Sequence, residues 1–229
     1  MHHGTPLHLL REVITNMQTS ETEEDYEYNQ EFIDALFGFI TSTLSSQSGG
    51  LMLIQAGIVE VFIQGLKVTK LVSYKNVIKL VNGLDNIVYS FTNAFNVFAT
   101  ANGVDILIGK IANEISECNL VIQEKSIEDS ISQDRLGLLR ALLKLILHLM
   151  QSSGTNEQMR HIVDTSLPKA LDSIFKSSES YGANVFGIGI LILLYSIMIW
   201  KRSQLWRHLS IMKRLPCQHY KKLDYPKYF

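Results

Sequence analysis

Two glycines 46 positions apart, Gly57 and Gly103, each end a short apolar stretch and open a further apolar helical run. Before Gly57 stands 51–56, and after it 58–66 (IVEVFIQGL); before Gly103 stands 91–101, and after it 104–111 (VDILIGKI). Each pair follows a longer helical run. In the first block Phe32, Leu36, Phe39, Ile40 and Leu44 recur at helical spacing, and 45–50 (SSQSGG) breaks the helix. In the second block the run covers about 75–90. A third block has the same design: helix 136–151 (LGLLRALLKLILHLMQ), a break at 152–155, a short piece at 159–164, and 167–175 (LPKALDSIF). Alternation with a period of two is absent, and four prolines in 229 residues leave room for long helices.

A sharp corner between a short helix and a longer one wants a residue that tolerates positive φ, which accounts for Gly57 and Gly103. In the third block Thr165 or Ser166 can cap the next helix, and Pro168 fits its first turn, where a missing N–H costs little. A spacing of 46 falls in the roughly 40–47 residue period of armadillo and HEAT units. Each such unit buries its apolar face only against its neighbours. The expected fold is therefore all-α, an armadillo/HEAT-like α-α superhelix of about three repeats over 30–195. A loosely attached N-terminal helix at about 6–17 and an acidic linker (ETEEDYE, 21–27) precede it. Residues 111–135 form a polar insertion, expected to be a mobile loop with at most one marginal helix, and 196–229 form a basic tail.

Hydrophobic residues are 46% of the chain and charged residues 19%, which is enough apolar material to bury a core. A net charge of -1 supplies no bulk attraction to nucleic acid or to an anionic membrane. No phosphate loop, dinucleotide fingerprint or HExxH occurs, and the GxG at 187–189 lies inside an apolar run. Cys118 and Cys217 are far apart, with no metal-ligand spacing. Cys118 has no basic neighbour to make it a nucleophile. His148 shares a polar stripe with Lys144 and Gln151, which reads as solvent-facing, and His2, His3 and His8 lie near a terminus expected to fray. The sequence thus assigns no catalytic residue, cofactor or metal. The residues expected to present a protein-contact ridge are Glu60, Gln64 and Lys67 in the first block and Lys169, Ser173 and Lys176 in the third. Each set falls on one helical stripe.

Residues 51–66 (LMLIQAGIVEVFIQGL) and 135–175 (RLGLLRALLKLILHLMQSSGTNEQMRHIVDTSLPKALDSIF), with Tyr181-Gly182 after them, carry a resemblance. They resemble a domain of unknown function in the N-terminal armadillo-like region of the very large HECT-type ubiquitin ligases, in a form similar to the fungal members. The segment 159–171 is the most specific piece. The resemblance implies a non-catalytic scaffold or protein-interaction segment in ubiquitin-dependent turnover. Its partners would be proteins, ubiquitination substrates or the rest of a large ligase, and its location the cytoplasm and nucleus. The catalytic cysteine of that family belongs to a HECT domain whose motif neither Cys118 nor Cys217 matches. Importin-type armadillo grooves use tryptophans, and none occurs here before Trp200.

After about Tyr195 the composition changes. Residues 197–229 hold both tryptophans and eight of the 21 Lys and Arg, with one acidic residue, Asp224. That abrupt change suggests an out-of-frame or intron-derived end of a truncated gene model. The uncharged run 185–200 (VFGIGILILLYSIMIW), followed by Lys201 and Arg202, supports an alternative: a single-pass membrane protein with its span there. A free-standing armadillo-repeat adaptor is the other alternative.

Overall fold

The computed structural model describes residues 5–22, 25, 27–70, 73–124, 133–152 and 167–169. Within them the secondary structure is helical: α1 (Thr5–Thr19), α2 (Gln30–Leu44), α3 (Gln47–Gln55), α4 (Ile58–Leu66), α5 (Tyr74–Ser90), α6 (Thr92–Thr100), α7 (Gly103–Glu124) and α8 (Gln133–Ser152). Local chemistry sets several of these boundaries. Asn29 caps α2 by accepting from the Phe32 N–H at 2.8 Å, and Ser46 caps α3 by accepting from the Gly49 N–H at 3.1 Å. Gly57 turns the chain between α3 and α4 at φ 91°. The equivalent corner between α6 and α7 is made by Asn102 at φ 60°, one residue before Gly103. Asparagine is the side-chain-bearing residue best suited to that region.

Like helices pack side by side. α2, α5 and α8 form one row, α1, α4 and α7 form another, and α3 and α6 bridge the corners. α1 and α4, and likewise α2 and α5, run parallel at nearly constant offsets. Gln18 of α1 reaches the Gln64 carbonyl of α4, and Gln30 of α2 bonds to Asn76 of α5, both 46 positions apart. Between α5 and α8 the offset widens: Ile78 meets Gly137, Asp85 meets Lys144, and Tyr89 meets His148, each pair 59 positions apart. Most of the extra residues lie in α7 itself, 22 residues long against 9 in α4, where the sequence places its insertion. Across the rows α4 and α5 are antiparallel, with Gly65 against Leu80 and Gly83 against Phe62.

Three expectations change. α1 is not loosely attached: Leu7, Leu10, Val13, Ile14 and Met17 are all buried in the shared core, because its apolar stripe packs on α4 and α2. The expected loop at 111–135 is helical up to Glu124, since Ile111, Ile115 and Cys118 extend the buried face of α7. Gly103 is also not a positive-φ corner. A Cβ there would stand 2.5 Å from the Phe98 ring, so close packing is what requires glycine. Apart from 167–169, the rest of the third block, the run 185–200 and the tail lie outside the described residues. Among the described residues no single helix is long and apolar enough to cross a membrane; α3 and α4 together are, but they meet at a 70° bend.

Candidate functional site

The expected ridge residues of the first block are all exposed. Glu60 sits in the first turn of α4, Gln64 in its last turn, and Lys67 just past its end. Their neighbour is α1, whose Arg11 guanidinium lies with the Glu60 carboxylate around Gly57. Lys169 is exposed; Ser173 and Lys176 lie outside the described residues.

Two buried polar clusters lie elsewhere, and both join α5 to α8. In the first, Lys110 and Glu114 form an ion pair at 2.9 Å on α7, with each side chain only 4% exposed. The Lys110 ammonium also donates to the Val68 carbonyl just beyond α4. Tyr74, at the start of α5, donates to Glu114 Oε1 at 2.7 Å. Arg135, in the first turn of α8, stands 3.7 Å from Glu114 and 3.4 Å from Glu117. Both cations lie over the Tyr74 ring, at 5.1 and 5.8 Å from its centroid. Burial, then the hydrogen bond to Glu114, push the Tyr74 phenol above the ordinary tyrosine range, so it stays a neutral donor. The cluster fastens the end of α4, the start of α5, α7 and α8 to one another. It borders a cavity of about 370 Å³. Among the described residues Glu114 Oε2 has no hydrogen-bond partner, and the Arg135 guanidinium at 3.7 Å is its ionic neighbour.

The second cluster centres on Asp85, whose side chain is 4% exposed in the middle of α5. A carboxylate only accepts, so His148 Nδ1 carries the proton that bridges the 2.7 Å to Asp85 Oδ1. Lys144 Nζ stands 3.2 Å from Oδ2. The Tyr89 ring lies 5.5 Å from the His148 ring, tilted by 44°. These groups line a cavity of about 220 Å³ where the C-terminal end of α2 meets α5 and α8, with Thr41 and Ser45 on the α2 side.

Reading the sequence by stripes missed both clusters. The signal for the second was present: Asp85 shares a helix face with Val81 and Val88, where a carboxylate needs a partner. The pair Lys110 and Glu114 has i, i+4 spacing, but ending the helix at 111 separates them. His148 is not fully solvent-facing; its side chain is 29% exposed and held by Asp85. Cys118 is a buried helical residue. Among the described residues no group of three His, Cys, Asp or Glu is placed to hold a metal ion.

Residues 78–198, somewhat more than half of the chain, match the family described as Domain of Unknown Function (DUF913). The chain belongs to this family. Its relatives include the E3 ubiquitin-protein ligase ptr1 of Schizosaccharomyces pombe, 28% identical over 192 residues. They also include the mouse E3 ubiquitin-protein ligase HUWE1, 26% identical over 187 residues, and the probable E3 ubiquitin-protein ligase TOM1 of Eremothecium gossypii, 26% identical over 192. The alignments cover 80%, 69% and 80% of this chain but only 6%, 4% and 6% of those proteins. The resemblance to large ubiquitin ligases read from 51–66 and 135–175 therefore holds, and the DUF913 match takes in most of α5, all of α6 to α8, and residues of both polar clusters. No solved structure matches the chain.

Proposed function

We propose that this DUF913 chain is a non-catalytic scaffold and protein-interaction segment of a HECT-type E3 ubiquitin ligase, built as an armadillo/HEAT-like superhelix. The observation that carries the reading is the pairing of α1 with α4 and of α2 with α5, both at a 46-residue offset, in a chain similar to ubiquitin ligases. Stacked units of that kind present long, continuous surfaces and suit protein binding. Glu60, Gln64, Lys67 and Lys169 are ridge contacts in this reading, extended by Ser173 and Lys176. The polar clusters hold the rows in register and have no chemical step of their own. The partners are ubiquitination substrates or other parts of the ligase, met in the cytoplasm and nucleus.

The test is charge reversal at Lys67 and Lys169 within a full-length ligase that carries this segment. Reduced capture of defined partners, with ubiquitin loading of the ligase intact, is the expected outcome. Unchanged capture of every partner rules out the ridge.

A further inference from the structure

We infer that the cavity bordered by Tyr74, Glu114 and Arg135 is a socket for an uncharged carboxamide, the side chain of a glutamine or asparagine on a partner segment. Its N–H would donate to Glu114 Oε2 and its carbonyl would accept from Arg135. The inference rests on the interaction reading above and names the group that is recognised. At about 370 Å³ the cavity falls within the range of about 300–1,000 Å³ usual for ligand pockets. Every residue lining it carries a polar group, so a hydrocarbon side chain finds little apolar wall. Thr69, two residues past Lys67 of the ridge, and Asn113 and Ser116 of α7 are exposed lining residues, so the mouth opens beside the ridge.

The chemistry of the wall selects the ligand. Glu114 has a side chain only 4% exposed; its Oε1 is taken by Tyr74 and Lys110, while Oε2 lacks a hydrogen-bond partner among the described residues. The Arg135 guanidinium that shields Oε2 stands 3.7 Å away, too far for a hydrogen bond. Arg135 is lightly held: it donates at 3.4 Å to Glu117, which is itself 57% exposed. That leaves most of its five N–H donors uncommitted among the described residues. A small outward turn of the guanidinium therefore opens a buried acceptor beside a free donor. A carboxylate ligand has no donor for Glu114, and an ammonium has no acceptor for Arg135. The formal charges of Lys110 and Arg135 also already balance those of Glu114 and Glu117, so a charged ligand would be buried without compensation. A carboxamide has no charge and presents a donor and an acceptor together on one planar group.

The experiment is NMR of the isotope-labelled, purified chain, following the Arg135 Nε–H and the backbone amides of α7 as ligands are added. The ligands are propionamide, propionate, propylammonium and propan-1-ol, which share a short alkyl chain and differ in the polar group. Propionamide should give saturable shifts with a Kd of about 10 mM, at least roughly tenfold tighter than the other three. Arg135→Lys keeps the charge but loses the planar fork, and should weaken propionamide at least roughly fivefold. Lys144→Gln, at the other cavity, should leave it unchanged; thermal melting confirms that each variant is folded. N-acetylglutamine methylamide, which carries the carboxamide on a peptide unit, should bind at least as tightly as propionamide. Binding of propionamide without it would assign the socket to a free small amide and overturn the partner segment. Equal shifts with all four compounds, or none with propionamide, overturn the inference altogether. Those failures leave the interaction reading standing; that reading fails separately if a full-length ligase lacking this segment keeps every partner.

Discussion

The crossing of α4 and α5 can be tested at Gly65, where the two rows of helices meet. A Cβ on Gly65 would stand 2.0 Å from Leu80 Cδ1 and 3.1 Å from its Cγ, and Leu80 is fully buried. Two effects of Gly65→Ala oppose each other. Alanine in a helix interior gains about 1 kcal/mol over glycine. Forcing a methyl into a filled core costs about 1–3 kcal/mol. A rotation of the Leu80 tip could relieve the closest contact, but its Cγ is also crowded and the side chain has no solvent to move into, so the clash wins. With the clash in the upper half of that range, the expected net loss is about 1–2 kcal/mol, or a Tm lower by about 2–8 °C for a chain of this size. Leu80→Ala alone should cost about 2–5 kcal/mol through its cavity. The double variant should be more stable than the sum of the two losses implies by about 1 kcal/mol or more, since Leu80→Ala removes the clash and the methyl added at position 65 fills part of the void. Urea denaturation followed by circular dichroism in the far ultraviolet gives all three values. Strict additivity, or stabilisation by Gly65→Ala alone, would refute this crossing.

Other perturbations separate local strain from charge burial. Glu114→Gln should destabilise the chain by about 3 kcal/mol in urea titrations, because it leaves the buried Lys110 ammonium without its carboxylate; a change below about 1 kcal/mol would show that the ion pair has no structural role. Gly57→Ala should cost about 1–2 kcal/mol at its φ of 91°, whereas Asn102→Gly should change stability by less than about 0.5 kcal/mol. Tyr74 has its titration raised on folding, so its contribution is complete below the ordinary tyrosine value of 10.0 and is lost as pH climbs towards the folded value. Stability should therefore fall more steeply above about pH 10 in the parent than in Tyr74→Phe, and equal slopes in melts from about pH 9 to 11 would exclude that role.

The all-helical architecture and the corner at Gly57 were legible because period-3.6 apolar runs and corner residues are local signals. Gly57 shows the strength of that reasoning, and Gly103 its limit. The glycine marks the right corner, but Asn102 takes the left-handed conformation and Phe98 is what excludes a Cβ. A helix end is less legible when polar and apolar positions mix. The stretch after Ile111 carries Glu114, Glu117 and Glu124, yet Ile115 and Cys118 keep one apolar face in register and carry α7 on. The attachment of α1 depended on a groove contributed by α2 and α4, which no local pattern reveals. The same holds for the Asp85 cluster. Lys144 and His148 form a recognisable stripe, but their shared partner lies 59 and 63 positions earlier on another helix.

The central claim, a non-catalytic interaction segment within a ubiquitin ligase, is tested most directly by separating charging from substrate transfer. In a full-length ligase carrying this segment, residues corresponding to 30–195 are deleted and two quantities are followed: the reducible ubiquitin thioester on the ligase, and ubiquitin transferred to its bound protein substrates. The account predicts thioester formation at the parental level with transfer to at least one substrate lost. Loss of the thioester itself, or undiminished transfer to every substrate, would contradict it.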